Sequence, residues 1–410
     1  MSEKIVIVGA GQAGLQAAIS LRQARFDGTI TMIGAEDAAP YQRPPLSKAY
    51  LKGELALDRM LLRPHAFFSQ QNISTEFGLK AEAIDRETRT VQTSDGRVFE
   101  YDRLLIATGA PPRRLKIKGA KREGVYYLRT LKDSDTLAPI LKSKGRVVIV
   151  GAGYIGLEVA AVARAAGLPV TVLERESRVL SRVAGSITSD YFHALHRDHG
   201  VEIRTNAALE ALDGEGDKGA VSAAVLSSGE EIDCVAVLIG VGAAPDDGIA
   251  NLAGLKVDNG IWVDENARTD DPCIWAAGDV ANFPSPLYHR RMRLESVPNA
   301  IEQAKVAGMN MSGKKDEAAI YNAAPWFWSD QYDVKLQTAG CPDPEIDQVV
   351  RFGAIPRSQS VWYVDGSRLI AVDAMNDPAA FTVGKKVITT GAPVSASDLA
   401  DPDFELKSLL

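Results

Sequence analysis

The sequence predicts an α/β chain: two parallel-sheet modules of one βαβ plan, then a C-terminal α+β domain with a mainly antiparallel sheet. Three observations carry this. IVIVGAGQAGLQAA begins at Ile5 and VVIVGAGYIGLEVAA at Val147, each an apolar β-branched run that breaks into GxGxxG and continues with helical periodicity. Each copy later repeats a polar turn and an apolar strand ending in glycine, TSDGRVFEYDRLLIATGAPPR in the first and LSSGEEIDCVAVLIGVGAAPD in the second. From Tyr321 onward the texture changes to short alternating segments such as YDVKLQTAG and QSVWYVDGSRLIAVDA.

In chain order, Asp95-Gly96 is the hairpin turn of the first module, and Pro111 and Pro112 mark its exit. Ser228-Gly229 takes the same place in the second module, which Pro245 closes. CIWAAGDVANF then reads as a strand ending at Gly278-Asp279 and feeding a helix N-terminus, where backbone N–H groups meet an anion. HALHRDH puts His193, His196 and His199 along a helix; with no carboxylate or cysteine cluster beside them they read as solvated surface, and no metal site is expected. PWFWSDQY opens the third domain, and Asp365-Gly366 turns a hairpin within it.

Composition narrows the function. A net charge of −7 argues against a nucleic-acid surface, which needs a basic field to collect phosphates. Cys234, Cys273 and Cys341 lie too far apart for a CxxC pair or a zinc cluster, so a reducing compartment is expected. No apolar run approaches the roughly 20 residues of a membrane span. With the first strand starting at Ile5, no leader is expected ahead of it, and the chain is placed in the cytoplasm.

Two such motifs in register imply two Rossmann-like dinucleotide-binding domains. In Gly9, Gly11, Gly14 and in Gly151, Gly153, Gly156 the first glycine turns the chain. The second lets a pyrophosphate approach the backbone, and the third lets helix and strand pack closely. The next strand should end in an acidic residue that bonds a ribose hydroxyl, and Glu174 stands there in the second module. Its carboxylate repels a 2′-phosphate, favouring NADH, while Arg175 and Arg178 nearby blunt that preference. The first module has Gly34 at this point, with Glu36 and Asp37 shortly after, so its ribose contact is displaced or made by backbone.

RPPLSKAYL, LLIATGAPPR, VGAGYIGLEVA, WAAGDVA and PWFWSDQY together resemble FAD-dependent ferredoxin reductases of the putidaredoxin reductase and dioxygenase ferredoxin reductase type. These belong to the glutathione reductase-like superfamily. The resemblance runs along nearly the whole chain and implies FAD on residues 1–112 with 243–320, NAD on 113–242 and a C-terminal interface domain on 321–410. It implies FAD contacts from the first glycine trio, Glu36, Arg43, Lys48, Ala107, Thr108, Gly109, Arg129, Gly278, Asp279, Val297 and Trp328. It likewise implies NAD contacts from the second trio, Tyr154, Ile155, Glu174 and Gly242. Lys48, paired with Glu158, is placed near the reactive flavin nitrogen, with Trp328 beside the flavin, and these three are the catalytic candidates.

Disulfide-reducing enzymes of this double plan need a cysteine near residues 40 to 50, where this chain reads PYQRPPLSKAY. Electrons must then leave the flavin directly for an outside acceptor, which the resemblance implies is a [2Fe-2S] ferredoxin serving a cytochrome P450 or a ring-hydroxylating dioxygenase. An acidic ferredoxin calls for a local basic patch, for which Arg290, Arg291, Arg293, Lys385 and Lys386 are the candidates. Other readings stay open: a rubredoxin, monodehydroascorbate or quinone reductase, or an apoptosis-inducing-factor-like redox sensor.

Overall fold

A computed structural model describes residues 2–216, 219–313 and 318–410. The chain divides into two compact units, one of Met1–Gln42, Ala56–Pro111 and Ala243–Pro325, the other of Arg43–Leu55, Pro112–Gly242 and Trp326–Leu410.

The first unit is built on a five-stranded parallel sheet ordered Ile274–Ala276, Arg103–Ile106, Lys4–Val8, Thr29–Gly34, Ile73–Phe77. Its central strand buries Ile5, Val6, Ile7 and Val8 together, so it reads as a continuous apolar run rather than an alternating one. Helices Gln12–Gln23 and Val297–Met311 pack on each other through small residues: a Cβ on Gly308 would lie 2.8 Å from Ala17 O. The hairpin expected at Asp95-Gly96 joins Thr90–Thr93 to Val98–Glu100.

The second unit repeats the plan with a parallel sheet ordered Glu202–Arg204, Val170–Leu173, Val147–Val150, Ala236–Ile239, Val125–Tyr126. Its Ser228-Gly229 turn joins Val221–Leu226 to Glu231–Asp233. The same unit holds the C-terminal antiparallel sheet, ordered Trp326–Gln331, Val334–Gly340, Arg368–Met375, Gln359–Asp365, Asp347–Phe352, with helix Pro378–Thr390 packed on it. A Cβ on Gly384 of that helix would meet Val372 at 2.4 Å, so helix and sheet touch closely there.

Two expectations are corrected. Gly278-Asp279 does not feed a helix: strand Ala281–Ser285 follows at once and returns through Arg290–Met292. The helix begins only at Val297, where Ser296 caps it, its Oγ accepting the Asn299 N–H at 3.3 Å. His196 is not solvated but fully buried: on that face of helix Ser186–Asp198, Gln331 at the end of strand Trp326–Gln331 sets its Oε1 2.8 Å from Nε2, and the Tyr332 ring lies 5.1 Å from the imidazole.

Candidate functional site: two glycine cradles and a buried ion pair

Both glycine trios divide their labour alike. A Cβ on Gly9 would lie 2.1 Å from Ala107 O, and one on Gly14 would lie 1.9 Å from Gly9 O, whereas Gly11 has nothing within 4 Å. In the second copy, Gly151 would meet Gly240 O at 2.4 Å and Gly156 would meet Gly151 O at 2.2 Å, while Gly153 again faces open space. The outer glycines permit backbone to touch backbone, and the middle one leaves room for something else. Gly11 and Gly153 are also the N-caps of Gln12–Gln23 and Tyr154–Ala165, and neither helix has a side-chain cap. A phosphate oxygen is the natural acceptor for N–H groups at such a start. Each cradle therefore fits a dinucleotide pyrophosphate.

The strand tips differ. Glu174 Oε2 accepts the Ala152 N–H at 2.7 Å and its Oε1 accepts the Glu176 N–H at 3.0 Å, so two backbone donors orient the carboxylate. Arg178 donates to the carbonyls of Ala184 and Ser181, at 2.7 and 3.0 Å, and Arg175 pairs with Glu176 at 2.8 Å. Gly34 occupies the matching position in the first unit, where a Cβ would come 2.5 Å from the Ala10 methyl. Glu36 accepts the Tyr41 hydroxyl at 2.6 Å, and its carbonyl accepts the Gly78 N–H.

Around the first cradle, the Ala107 N–H donates to Val8 O and the Thr108 hydroxyl to Asp246 O at 2.7 Å; Gly109 O accepts the Asp246 N–H. Gly278, at φ +84°, donates its N–H to Gln303 Oε1 at 2.8 Å, which ties the end of strand Ile274–Ala276 to the helix that Val297 opens. Asp279 is half-buried, and its carbonyl accepts from Arg293. In the second unit, Ile155 is 48% exposed at the helix start, a Cβ on Gly242 would lie 3.5 Å from the Arg182 guanidinium, and the Tyr154 ring sits 4.4 Å from that of Phe327.

Within the second unit, Lys48 Nζ lies 2.7 Å from Glu158 Oε2, and the Glu158 side chain is only 5% exposed. The Ser47 hydroxyl donates to the same oxygen at 2.5 Å and the Ser329 hydroxyl to Oε1 at 2.6 Å. Three partners thus surround a carboxylate whose repeat counterpart, Gln16, bonds Ser20 on its own helix. A charge this buried persists only when paired and hydrogen-bonded, and here it is both. Arg43 donates to Arg129 O at 2.6 Å, and Arg129 lies just ahead of the capping box formed by Thr130 and Asp133. Trp328 is half-buried, its ring 5.6 Å from that of Trp326.

Sequence reasoning missed Ser47, Ser329 and Gln331. The signal was present in the last two: they alternate with Trp328 along one strand, so buried polar side chains share the face carrying Phe327. Fewer of the basic candidates are exposed than the sequence suggests. Arg291 stacks 3.5 Å above the Trp262 ring and donates to the carbonyls of Val263 and Asn282; burial lowers its pKa. The Arg293 side chain is 8% exposed and pairs with Glu295 at 2.7 Å. Lys385 lies over the Trp326 ring, leaving Arg290 and Lys386 as the exposed cations.

A family model described as pyridine nucleotide-disulphide oxidoreductase matches residues 3–304, and one described as reductase C-terminal matches residues 326–410. Rhodocoxin reductase of Rhodococcus erythropolis is 41% identical over 403 residues, 98% of this chain and 93% of the relative. The crystal structure of a covalent putidaredoxin reductase–putidaredoxin complex matches with TM-score 0.94 at 40% identity, covering 99% of this chain and 98% of that one. A ferredoxin reductase from Rhodopseudomonas palustris matches with TM-score 0.95 at 40% identity, covering 99% of both chains.

Proposed function

Since the chain belongs to the pyridine nucleotide-disulphide oxidoreductase family, we propose that it is a flavoprotein reductase. It passes electrons from NADH through FAD to a [2Fe-2S] ferredoxin that serves a cytochrome P450 or a ring-hydroxylating dioxygenase. The observation that carries this reading is the pair of matching cradles, each closed at its first and last glycines and open at the middle one. Two dinucleotides in one chain, with no cysteine between residues 40 and 50, leave an external acceptor as the outlet. The likeness to a reductase solved with its putidaredoxin supports an iron–sulfur protein in that role.

FAD, when bound, supplies the exchange of a hydride pair for single electrons. The chain supplies position and charge. Gly9, Gly11 and Gly14, with Ala107, Thr108, Gly109, Gly278, Asp279 and Val297, are the proposed FAD residues of the first unit, and Glu36 the proposed ribose contact. Gly151, Gly153 and Gly156, with Tyr154, Ile155 and Gly242, hold NADH. Glu174, already oriented by two amides, accepts from a ribose hydroxyl and repels a 2′-phosphate. Lys48, anchored by Glu158, offers the flavin a fixed donor and positive charge, and Arg43, Arg129 and Trp328 are its further proposed contacts. No helix among the described residues is long and apolar enough to cross a membrane, and we place the work in the cytoplasm, where NADH is regenerated.

An anaerobic NADH titration followed in the visible range tests the reading. The purified protein should show flavin bands that NADH bleaches and a ferredoxin restores. A colourless protein that takes up no FAD, or a bleached flavin that reoxidises with quinones but with no ferredoxin, would overturn it.

A further inference from the structure

Behind Glu158 runs a line of buried polar side chains that the proposed chemistry does not use. Ser329, Gln331 and His196 are each fully buried, and all belong to the second unit. Their hydrogen-bond directions follow from the carboxylate outward. An ionised carboxylate only accepts. The Ser329 hydroxyl, 2.6 Å from Glu158 Oε1, therefore spends its one proton there. Its oxygen, 3.2 Å from the Gln331 side chain, must then accept, which turns the Gln331 NH2 toward Ser329 and its oxygen toward His196. That oxygen lies 2.8 Å from His196 Nε2, so Nε2 carries the proton. Nδ1 is left as an acceptor, and the Tyr332 hydroxyl faces it at 3.4 Å.

Independent features hold the far end of this line in place. Burial pushes the His196 pKa down to about 4, which keeps the ring neutral and so limited to one N–H. Tyr332 adopts φ +55°, a left-handed conformation that aromatic residues avoid, and its ring stacks on that of His199 at 3.7 Å. Every donor in the series points toward Glu158, so each bond polarises the next.

We propose that Ser329, Gln331 and His196 are positioning residues for the Lys48–Glu158 pair, a one-way series of donors that holds the carboxylate in a single orientation and thereby fixes the Lys48 ammonium. This rests on the reading of Lys48 as a flavin contact. A network serving packing alone would affect stability without touching hydride transfer.

Two measurements on the FAD-loaded protein test it. Nitrogen NMR of 15N-histidine-labelled protein at pH 7 should show His196 as the Nε2–H tautomer. In Glu158→Gln, whose amide can donate to Ser329, the direction is no longer imposed and the His196 signal should move toward a mixture of tautomers. A wild-type Nδ1–H tautomer, or a signal unmoved by Glu158→Gln, overturns the series. Stopped-flow reduction of the flavin by saturating NADH should slow about tenfold in Ser329→Ala, the weight of one hydrogen bond to a charged group, and recover in Ser329→Thr. An unchanged rate in Ser329→Ala overturns the positioning role. If NADH fails to reduce the wild-type flavin, the functional reading falls while the tautomer result still stands or fails by itself.

Discussion

Substituting the middle and the last glycine of the second cradle in turn separates binding from folding. Gly153 has φ −80° and ψ 179°, ordinary extended backbone for alanine, and nothing lies within 4 Å of the added methyl. Gly153→Ala should therefore change stability by less than about 1 kcal/mol, the loss of a favoured N-cap residue offsetting the entropy taken from the unfolded chain. The methyl fills the volume a pyrophosphate needs. Losing one charge-assisted bond there costs about 1.5–3 kcal/mol, or roughly 10- to 150-fold in NADH affinity. Gly156→Ala does the reverse: its methyl would sit 2.2 Å from Gly151 O, forcing helix Tyr154–Ala165 off the strand. Such overpacking costs about 1–3 kcal/mol and should lower Tm by about 2–4 °C per kcal/mol. KM for NADH in ferricyanide reduction, measured beside a thermal melt, checks both. A wild-type KM in Gly153→Ala, or a Tm loss there equal to that of Gly156→Ala, would refute the division of labour.

The remaining expectations concern charge. Glu174→Ala removes the group that repels a 2′-phosphate, so the NADPH-to-NADH ratio of kcat/KM should rise by about tenfold or more; an unmoved ratio would assign the preference elsewhere. His196 is held below its ordinary pKa of 6.5, at about 4, so the unfolded chain takes up a proton that the folded one refuses. Stability should fall by about 3 kcal/mol as pH drops through that window, and urea unfolding of His196→Gln should lack this component. Arg290→Glu should raise KM for ferredoxin while leaving NADH–ferricyanide activity unchanged. Arg291→Glu should instead lower Tm, since its guanidinium lies on the Trp262 ring; ferredoxin kinetics untouched by Arg290→Glu would remove that residue from docking.

What was legible in the sequence is what neighbouring residues decide. The two GxGxxG starts, the turns at Asp95-Gly96, Ser228-Gly229 and Asp365-Gly366, and the antiparallel C-terminal sheet all follow from local glycines and alternation. The helix after Gly278-Asp279 was misplaced because a hairpin intervenes, although Ser296 and Pro298 form a readable start signal. His196 looked solvated because its cover, Gln331 and Tyr332, lies far along the chain. The engagement of Arg291 with Trp262 and Val263 is hidden for the same reason: a run of arginines carries no mark of which guanidinium has been claimed by a distant carbonyl. Ser47 stood beside Lys48 in plain view, but only tertiary geometry turns its hydroxyl onto Glu158.

The unequal strand tips set a limit on redesign. Placing any side chain at residue 34 would drive it into the Ala10 methyl, whereas at residue 174 the matching loop greets a carboxylate with an N–H. The duplicated halves are thus no longer interchangeable parts. Retooling the first pocket for a nicotinamide guest would require remodelling its glycine turn as well as the strand tip, a two-site change that no single substitution reaches.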